Sequence, residues 1–581
     1  MTPGPPIPKP IDDRLPDWPG LAAGAILAVG SIAIYARTFA VPLLFDDRTW
    51  LTDNPSIRHL GALGTVLSPR PDSGVGGRPL LNLTYALNYA AGGTDVAGYH
   101  VVNLLIHVLA AWTLFALVRR TLLRPILADK FGPAATPLAL AVTAIWAWHP
   151  VQTEAVTYLA QRSELLMGLC YFLTLYCFLR GAEAEGTGGR RIWFSLSVLS
   201  CLAGVGSKEV IATAPLIVFL YDRTFLSGSF SGAWRRHGVV LLTLAATWLP
   251  LGFLMAGLSQ RGVGFGPEVS WWAYGLVESR VVVRYLILAF WPRPLIFDYG
   301  AFVAPHLAAV WPYIAVQIAL LAATAAAVRR VPAAGFAAAW FFLILAPSSS
   351  VVPVVAQPMA ESRLYLPLAG IAALVVLEVF ALSGRRCLPF FAIWAAGLGV
   401  AAAARNQDYR SERAIWADTV SKNPQNARAH STLAAAWMKL SGHRDDAIAE
   451  FNSALRLNPN LPGVYNDLGN IWYATPGRMA DAIADYKRAL QLNPAFPEAH
   501  NNLGNVLLGE PGQLDSAIAQ YREAIRLKPD YVDAHFSLAL ALLRLPGRSS
   551  EARSELETVL RLRPGDAAAK QLLAPLPASP P

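Results

Sequence analysis

Residues 461–494 read LPGVYNDLGNIWYATPGRMADAIADYKRALQLNP, and residues 496–529 repeat the pattern as FPEAHNNLGNVLLGEPGQLDSAIAQYREAIRLKP. The two stretches are offset by 35 residues, and prolines at 424, 459, 494, 529 and 564 keep the same interval. Small and aromatic residues at fixed offsets, such as Ala482 and Tyr486, allow two antiparallel helices to pack closely, and the proline ends each pair. Residues 426–570 are therefore predicted to form four stacked helical pairs.

This pattern resembles the tetratricopeptide family, with one residue more than that family's usual period. Stacked helical pairs form an α-solenoid with a concave groove, and the usual partner of such a groove is another polypeptide. Four asparagines of the repeats are predicted to line the groove and to bind an acceptor chain. They are Asn466, Asn470, Asn501 and Asn505.

The chain before the repeats is strongly apolar. Over all 581 residues, 54% are hydrophobic and 15% are charged, whereas about 25% charged residues is usual for a soluble domain. Eleven apolar runs approach the length that crosses a bilayer. They lie at 20–38, 99–118, 134–148, 165–180, 191–206, 209–222, 237–256, 306–328, 333–347, 364–383 and 387–404. The predicted fold is all-α, with a polytopic bundle of about eleven spans over 20–405 and the α-solenoid after it.

Basic residues collect between alternate spans, as in the cluster that contains Arg119 and Arg120. Because cytoplasmic loops of membrane proteins carry excess Lys and Arg, we expect an inner N-terminus and repeats outside the cytoplasm. The stretch 271–291 contains charges that are costly at the bilayer centre, so it is predicted to be a re-entrant or interfacial helix on the outer side. Of the net charge of +9, residues 1–420 carry +8, which is assigned to membrane loops, and no nucleic-acid partner is expected.

Three shorter segments complete the predicted organisation. Residues 1–19 contain seven prolines and are expected to form a cytoplasmic lead. Residues 406–425 are expected to form a connector helix, and residues 571–581 a disordered tail.

Polar motifs stand at the outer ends of several apolar runs. Phe45-Asp46-Asp47 follows the first run, and a carboxylate there could act as general base toward a hydroxyl acceptor. Basic side chains and one histidine are candidates to bind a phosphate group of a donor, since Arg and Lys suit phosphate oxygens. These candidates are Arg78, His149, Arg162, Lys208 and Arg363. An ion pair with a nearby acid such as Glu164, Glu209 or Glu361 is the alternative role of each basic residue.

The order of these motifs resembles the transmembrane and tetratricopeptide repeat-containing O-mannosyltransferases and their bacterial relatives, in the type C glycosyltransferase superfamily. The motifs are the Asp46-Asp47 loop with Asn-Pro at 54–55, HPVQTEAV at 149–156, RSELL at 162–166, SKE at 207–209, ESRLYLP at 361–367 and the repeats. The resemblance implies transfer of a sugar, usually mannose, from a polyprenyl-phosphate carrier to Ser or Thr of a protein. It implies Asp46 or Asp47 as the catalytic base, and the residues do not choose between them.

The expected reaction is a single in-line displacement that inverts configuration and requires no nucleotide or other cofactor. A divalent cation bound by Asp46, Asp47 and a glutamate is the alternative to a metal-free reaction, but no metal ligand is assigned. For a bacterial relative, the resemblance implies the inner (cytoplasmic) membrane, with the repeats on the periplasmic or extracellular side.

Two other functions fit the same residues. In one, the acceptor is a glycan or a lipid, and the repeats dock other envelope proteins. In the other, the chain is a non-enzymatic membrane scaffold whose repeats recruit partners.

Overall fold

The structure is a computed structural model that describes residues 17–70, 73–256, 270–301, 306–347 and 357–576. Most of the predicted lead at 1–19 and the end of the predicted tail at 571–581 lie outside these residues. Regular structure in the described ranges is helical, with no strand, which confirms the all-α prediction. The chain divides into two compact units, Met1–Asn423 and Pro424–Pro581.

The described part of the first unit contains eighteen α-helices joined by short 3-10 and π turns. They are α1 Trp18–Tyr35, α2 Leu63–Leu67, α3 Pro79–Gly92, α4 Val96–Leu122, α5 Pro125–Phe131, α6 Ala135–Ala147, α7 Gln152–Thr157, α8 Arg162–Glu183, α9 Thr187–Val205, α10 Ala214–Asp222, α11 Phe230–Ala245, α12 Trp248–Met255, α13 Trp271–Phe290, α14 Leu307–Arg330, α15 Pro332–Ala346, α16 Pro367–Ser383, α17 Leu388–Arg405 and α18 Glu412–Lys422.

All eleven predicted apolar runs are helical. Among the described residues, seven segments are long and apolar enough to cross a membrane, and one of them, Pro367–Arg410, holds both α16 and α17. These seven segments account for eight of the eleven runs, and the unit is a multi-pass membrane domain. Of the other three runs, α6 and α15 are shorter helices of 13 and 15 residues, and α9 carries two arginines near its start. The count of eleven spans therefore stays a prediction.

Small residues and buried polar side chains join the apolar helices, as is usual where lipid gives no hydrophobic drive between helices. A Cβ at Gly370 of α16 would lie 2.6 Å from the Ala337 carbonyl oxygen of α15, so this close approach requires glycine. In the same bundle, Trp146 of α6 donates its indole N–H to the Tyr365 carbonyl oxygen at 2.6 Å. These contacts hold α6, α15 and α16 together beneath the polar loops.

The second unit is built from helical pairs, as the 35-residue period predicts. Its helices are α19 Ala427–Met438, α20 Arg444–Leu457, α21 Pro462–Tyr473, α22 Met479–Leu492, α23 Pro497–Leu507, α24 Leu514–Leu527, α25 Val532–Leu542, α26 Ser549–Leu562 and α27 Ala567–Leu573. A Cβ added at Gly469 would lie 2.6 Å from Cε1 of Tyr486. A Cβ added at Gly504 would lie at the same distance from Cε1 of Tyr521. In these two helical pairs, the glycine of the first helix thus makes room for the tyrosine of the second.

The helix expected in the connector at 406–425 is α18, and it packs within the first unit. Asp418 of α18 accepts a hydrogen bond from Arg405 Nη1 at 2.6 Å. Trp416 is buried, and its ring packs edge-on against Phe297 with centroids 5.3 Å apart. The predicted limits of the other segments stay predictions.

Candidate active site

The two aspartates lie in a sharply bent loop just after the first span. The residue before them, Phe45, has a φ of +38°, in the left-handed region that side-chain-bearing residues adopt at a cost. The Phe45 ring packs edge-on against Trp416, with centroids 5.4 Å apart. A π turn over Arg48–Thr52 follows directly. The loop is therefore fixed on both sides of the aspartates.

The structure gives Asp47 a structural position. Its side chain is 1% exposed, and its two oxygens accept backbone N–H groups from Leu44 at 2.9 Å and from Ala160 at 2.7 Å. Burial raises the pKa of Asp47 to about 8, although these two hydrogen bonds act in the opposite direction. Asp47 thus ties the loop to the residues that precede α8.

Asp46 is placed differently, because its side chain is only partly buried. Its backbone N–H donates to the Tyr158 hydroxyl at 3.0 Å, and its carbonyl oxygen accepts the Thr49 hydroxyl at 2.8 Å. Burial, followed by the charges of Asp46 and Asp47, raises the pKa of Tyr158 well above its usual value. Tyr158 is therefore a protonated hydroxyl beside Asp46.

Three of the five predicted phosphate-binding residues lie around two glutamates. Lys208 Nζ lies 2.5 Å from Glu164 Oε1, and Arg78 Nη2 lies 3.6 Å from Glu209 Oε2. Electrostatic interactions link Glu209 to Arg78, Lys208 and Arg363. The structure therefore brings these distant cations together, and the alternative role as ion-pair partners applies to Arg78 and Lys208.

This basic cluster adjoins the aspartate loop. The Arg78 guanidinium lies over the ring of Trp50, 5.7 Å from the centroid, and the Trp50 backbone N–H donates to the Asp46 carbonyl oxygen at 3.0 Å. Arg363 donates to two backbone carbonyl oxygens, those of Gln357 at 2.6 Å and Pro358 at 2.5 Å. Arg78 and Trp50 thus connect the basic cluster to the aspartate loop, and the shared phosphate-binding role of these cations stays a prediction.

The phosphate-binding role predicted for Arg162 conflicts with its position in the core. Arg162 is fully buried, and all three guanidinium nitrogens donate to protein oxygens. The partners include Asn103 Oδ1 at 2.7 Å, Asn88 Oδ1 at 2.7 Å and the Tyr99 carbonyl oxygen at 2.9 Å. Neutral amides and carbonyls satisfy the guanidinium, and the sequence around 162 carried no signal of partners so far away.

His149 is also fully buried. Its Nδ1 accepts the Val151 backbone N–H at 3.3 Å, so its Nε2 carries the proton and donates to the Ala289 carbonyl oxygen at 3.3 Å. Both ring nitrogens already have protein partners, and the predicted contact with a donor phosphate stays a prediction. His149 instead joins the end of α6 to the end of α13.

Glu154 and Glu361 form a buried acidic pair near the site; the sequence predicts Glu361 only as a possible ion-pair partner and assigns Glu154 no role. Glu154 accepts the backbone N–H of Ser362 at 2.9 Å, and Glu361 accepts the backbone N–H of Ile296 and the Tyr299 hydroxyl at 3.1 Å. Burial and the neighbouring Glu361 charge raise the pKa of Glu154. The pair holds the segments at 154, 296 and 362 together, and its motifs, TEAV and ESRLYLP, were the available signal.

The segment after α13 connects this pair to the aspartate loop. Phe297 packs edge-on against Tyr158, with centroids 5.1 Å apart, and Tyr158 is the residue that contacts Asp46. Ile296 and Tyr299, on either side of Phe297, line a cavity of about 510 Å³. The cavity is therefore a neighbour of the two aspartates.

Within the described ranges, no group of three or more His, Cys, Asp or Glu side chains is placed to hold a metal ion. Both oxygens of Asp47 are already bound by backbone N–H groups. The predicted alternative of a cation between Asp46, Asp47 and a glutamate has no such group in the described part of the chain.

In the second unit, the four predicted asparagines divide into two pairs. Asn466 and Asn501 are buried, with 7% and 5% of their surface exposed, so they belong to the helical stack. Asn470 is exposed, and its Oδ1 accepts the Tyr486 hydroxyl at 2.7 Å. Asn505 is partly exposed, and its Oδ1 accepts the Tyr521 hydroxyl at 2.9 Å. In this second pair the amide N–H groups make no hydrogen bond to a residue that the structure describes.

Comparison with known proteins agrees with both units. A family described as TPR repeat matches residues 476–509 and 510–545. Protein O-mannosyl-transferase Tmtc1 of Drosophila melanogaster is 29% identical over 327 residues, which cover 51% of this chain and 36% of that protein. Protein O-mannosyl-transferase TMTC4 of Mus musculus is 26% identical over 489 residues, which cover 72% of this chain and 64% of that protein.

The curated homologues of this chain are TMTC-family protein O-mannosyl-transferases. The chain spans between about a third and two thirds of the length of these TMTC relatives. Among solved structures, the crystal structure of MamA protein is 24% identical and covers 30% of this chain and 92% of its own, with a TM-score of 0.24. That score is too low to relate the two folds.

Proposed function

We propose that this chain is a membrane glycosyltransferase that transfers a sugar, most simply mannose, from a polyprenyl-phosphate carrier to Ser or Thr of proteins. The names of its TMTC relatives, protein O-mannosyl-transferases, support a protein acceptor and mannose. The multi-pass first unit supports a donor held in lipid, and the repeats of the second unit support a polypeptide acceptor.

The division of labour between the two aspartates carries this proposal. The oxygens of Asp47 are occupied by backbone N–H groups, so Asp47 is a positioning residue. Asp46 follows a strained residue, is anchored through its own backbone and keeps a partly exposed carboxylate. A carboxylate held rigidly at a surface loop is suited to orient an acceptor hydroxyl. Asp46 is the catalytic base in this proposal.

The reaction then proceeds as one displacement. The acceptor oxygen attacks the anomeric carbon while Asp46 takes its proton, and the bond from that carbon to the phosphate oxygen breaks. The electron pair leaves with the phosphate, which departs as polyprenyl phosphate, and the configuration inverts. Fixed positive groups stabilise this leaving charge, and no metal or nucleotide takes part in the scheme.

The repeats present the acceptor chain. Tyr486 and Tyr521 each donate a hydroxyl hydrogen to the side-chain oxygen of Asn470 or Asn505, and the amide N–H groups of these two asparagines are the proposed donors to the acceptor chain. An extended polypeptide offers backbone carbonyl oxygens to such donors. In a bacterial cell the repeats would lie on the periplasmic or extracellular side of the inner membrane. A reporter fused after residue 420 should then be active only outside the cytoplasm.

Glycopeptide mass spectrometry of envelope proteins from cells with and without the chain tests the proposal. We expect a hexose on Ser or Thr that disappears on deletion of the gene and on Asp46→Asn substitution. Unchanged glycopeptides would refute a protein acceptor and leave a glycan or lipid acceptor. Loss of partner assembly on deletion of the gene, without any change in a sugar, would favour the scaffold.

A further inference from the structure

A second set of cations lies outside the groups already described. Two arginines of α13, Arg280 and Arg284, stand one helical turn apart and both line the 510 Å³ cavity. Lys422, at the end of α18, lies in the same lining. Among the described residues that line the cavity, these three are basic and none is acidic. Its volume is within the usual range of small-ligand sites, about 300–1,000 Å³.

The arginines of this cavity make fewer hydrogen bonds and ion pairs than the basic residues that were predicted to bind phosphate. Arg280 is exposed and makes neither a hydrogen bond nor an ion pair with any residue that the structure describes. Arg284 is partly buried and donates to the Pro294 carbonyl oxygen at 3.3 Å. Lys422 is bound more fully, to the Leu295 carbonyl oxygen at 3.0 Å and to Asp418, which it shares with Arg405. Two guanidinium groups are therefore available to an anion.

An apolar groove begins at the last turns of the same helix. Leu286 and Phe290 line this groove of about 270 Å³, and Ile287, between them in sequence, lines the basic cavity. The rest of the groove is formed by α14, α15 and α16, and no charged side chain stands among the described residues that line it. A molecule with an anionic head and a hydrocarbon chain matches this pairing of surfaces.

The basic cavity also adjoins the proposed catalytic base. Ile296 and Tyr299 form part of its wall, and Phe297, between them, packs on Tyr158, which contacts Asp46. The side chains of Phe297 and Tyr158 thus lie between an anionic group in the cavity and the aspartate loop. The same two side chains help to hold this loop.

We propose that the cavity lined by Arg280, Arg284 and Lys422 binds the phosphate of a lipid-linked phosphate, with the hydrocarbon chain in the apolar groove. Arginine matches phosphate oxygens with paired N–H donors. The inference rests on the proposed function for its donor, but the binding itself needs no sugar transfer. It places the phosphate of the carrier on α13 rather than on the five residues predicted from the sequence.

Binding of farnesyl phosphate to the full-length chain in detergent micelles tests this site, with farnesol and inorganic phosphate as comparison ligands. We expect the double substitution Arg280→Gln with Arg284→Gln to weaken farnesyl phosphate binding by roughly tenfold or more. A matched control, Arg190→Gln with Arg191→Gln, removes the same charge from exposed positions of α9 and should bind as the wild type does. The single Arg280→Gln variant controls for misfolding. Arg280 makes no hydrogen bond or ion pair with any residue that the structure describes, so its substitution should leave the fold intact.

Equal binding by the wild type and a folded double variant would overturn the proposal. Inorganic phosphate binding as tightly as farnesyl phosphate would also overturn it, since a free-anion site needs no groove. If farnesyl phosphate binds through the arginines while the wild type transfers no sugar, the site stands and the proposed function fails. If sugar transfer is unchanged in the double variant, the site fails and the proposed function stands.

Discussion

The sharpest prediction compares Asp46→Asn with Asp47→Asn, which remove the same charge from adjacent residues. Asp46 has a partly exposed carboxylate, so its substitution should remove the base and leave the fold intact. A positioned general base contributes about 10²–10⁴-fold in rate, which corresponds to about 3–5 kcal/mol of activation free energy. We expect the rate of sugar transfer to fall by that factor, with the unfolding temperature unchanged.

Asp47→Asn should act on the fold instead. Asparagine has one acceptor oxygen, so it can accept only one of the N–H groups of Leu44 and Ala160, and its amide hydrogens face the other. A buried donor left without an acceptor costs about 1–3 kcal/mol. We therefore expect a lower free energy of unfolding, and a smaller loss of transfer rate than Asp46→Asn causes.

The effect of Asp47→Asn should depend on pH. The folded pKa of about 8 lies above the reference value of 3.8, so the folded state favours protonated Asp47. Its contribution to stability is fully present below the lower value and is lost as the pH rises toward the higher one. Asparagine does not titrate, so the stability difference between wild type and variant should shrink from pH 5 to pH 8.

The assay is radiolabelled sugar transfer to an acceptor protein, with thermal unfolding in the same detergent over the pH range. If Asp47→Asn abolishes transfer in a folded chain while Asp46→Asn retains it, the assignment of base and positioning residue is reversed. If both variants retain full transfer, neither aspartate is the base.

Three further predictions concern packing, charge and the repeats. Gly504→Ala should destabilise the repeat unit by about 1–3 kcal/mol, because the added Cβ would lie 2.6 Å from the Tyr521 ring, and thermal unfolding measures this. Lys208→Met should lower the free energy of unfolding by about 3–5 kcal/mol, because it leaves the buried Glu164 carboxylate without its ion-pair partner. The double variant Lys208→Met with Glu164→Gln should recover most of that loss, and denaturant unfolding measures both. Deletion of 424–581 should abolish transfer to a protein acceptor. It should leave the Kd for farnesyl phosphate within about threefold of that of the full chain, which is a difference in binding free energy of less than about 0.7 kcal/mol.

Each of these predictions has an outcome that contradicts it. Gly463→Ala is the control for the glycine, since its added Cβ meets no atom within 4 Å, and equal melting of the two alanine variants would refute the packing argument. Additive losses in the Lys208 and Glu164 variants would show that the two side chains are not coupled. Unchanged glycopeptides after the deletion would remove the repeats from acceptor recognition.

Much of the fold could be predicted because its signals are local. The 35-residue period locates the helical pairs, since a small residue and a large one must recur where the two helices touch, as Gly469 and Tyr486 do. The apolar runs locate the helices of the first unit, because a run of that composition is stable in lipid only with its backbone hydrogen bonds closed internally. The buried role of Asn466 and Asn501 was not predictable, because their offsets do not show which face of α21 or α23 packs inward.

The sequence by itself determined that two aspartates and several cations lie at the ends of membrane helices. It could not assign their roles, because each role depends on partners far along the chain. The backbone N–H of Ala160, 113 residues away, binds the Asp47 carboxylate, and this contact distinguishes the role of Asp47 from that of Asp46. Asn103 and Asn88 satisfy Arg162 in the core, whereas the arginines of α13 line an open cavity. Only the tertiary structure decides which charges are buried and bound and which are left to meet a ligand, because desolvation and hydrogen bonding are set by packing rather than by residue type.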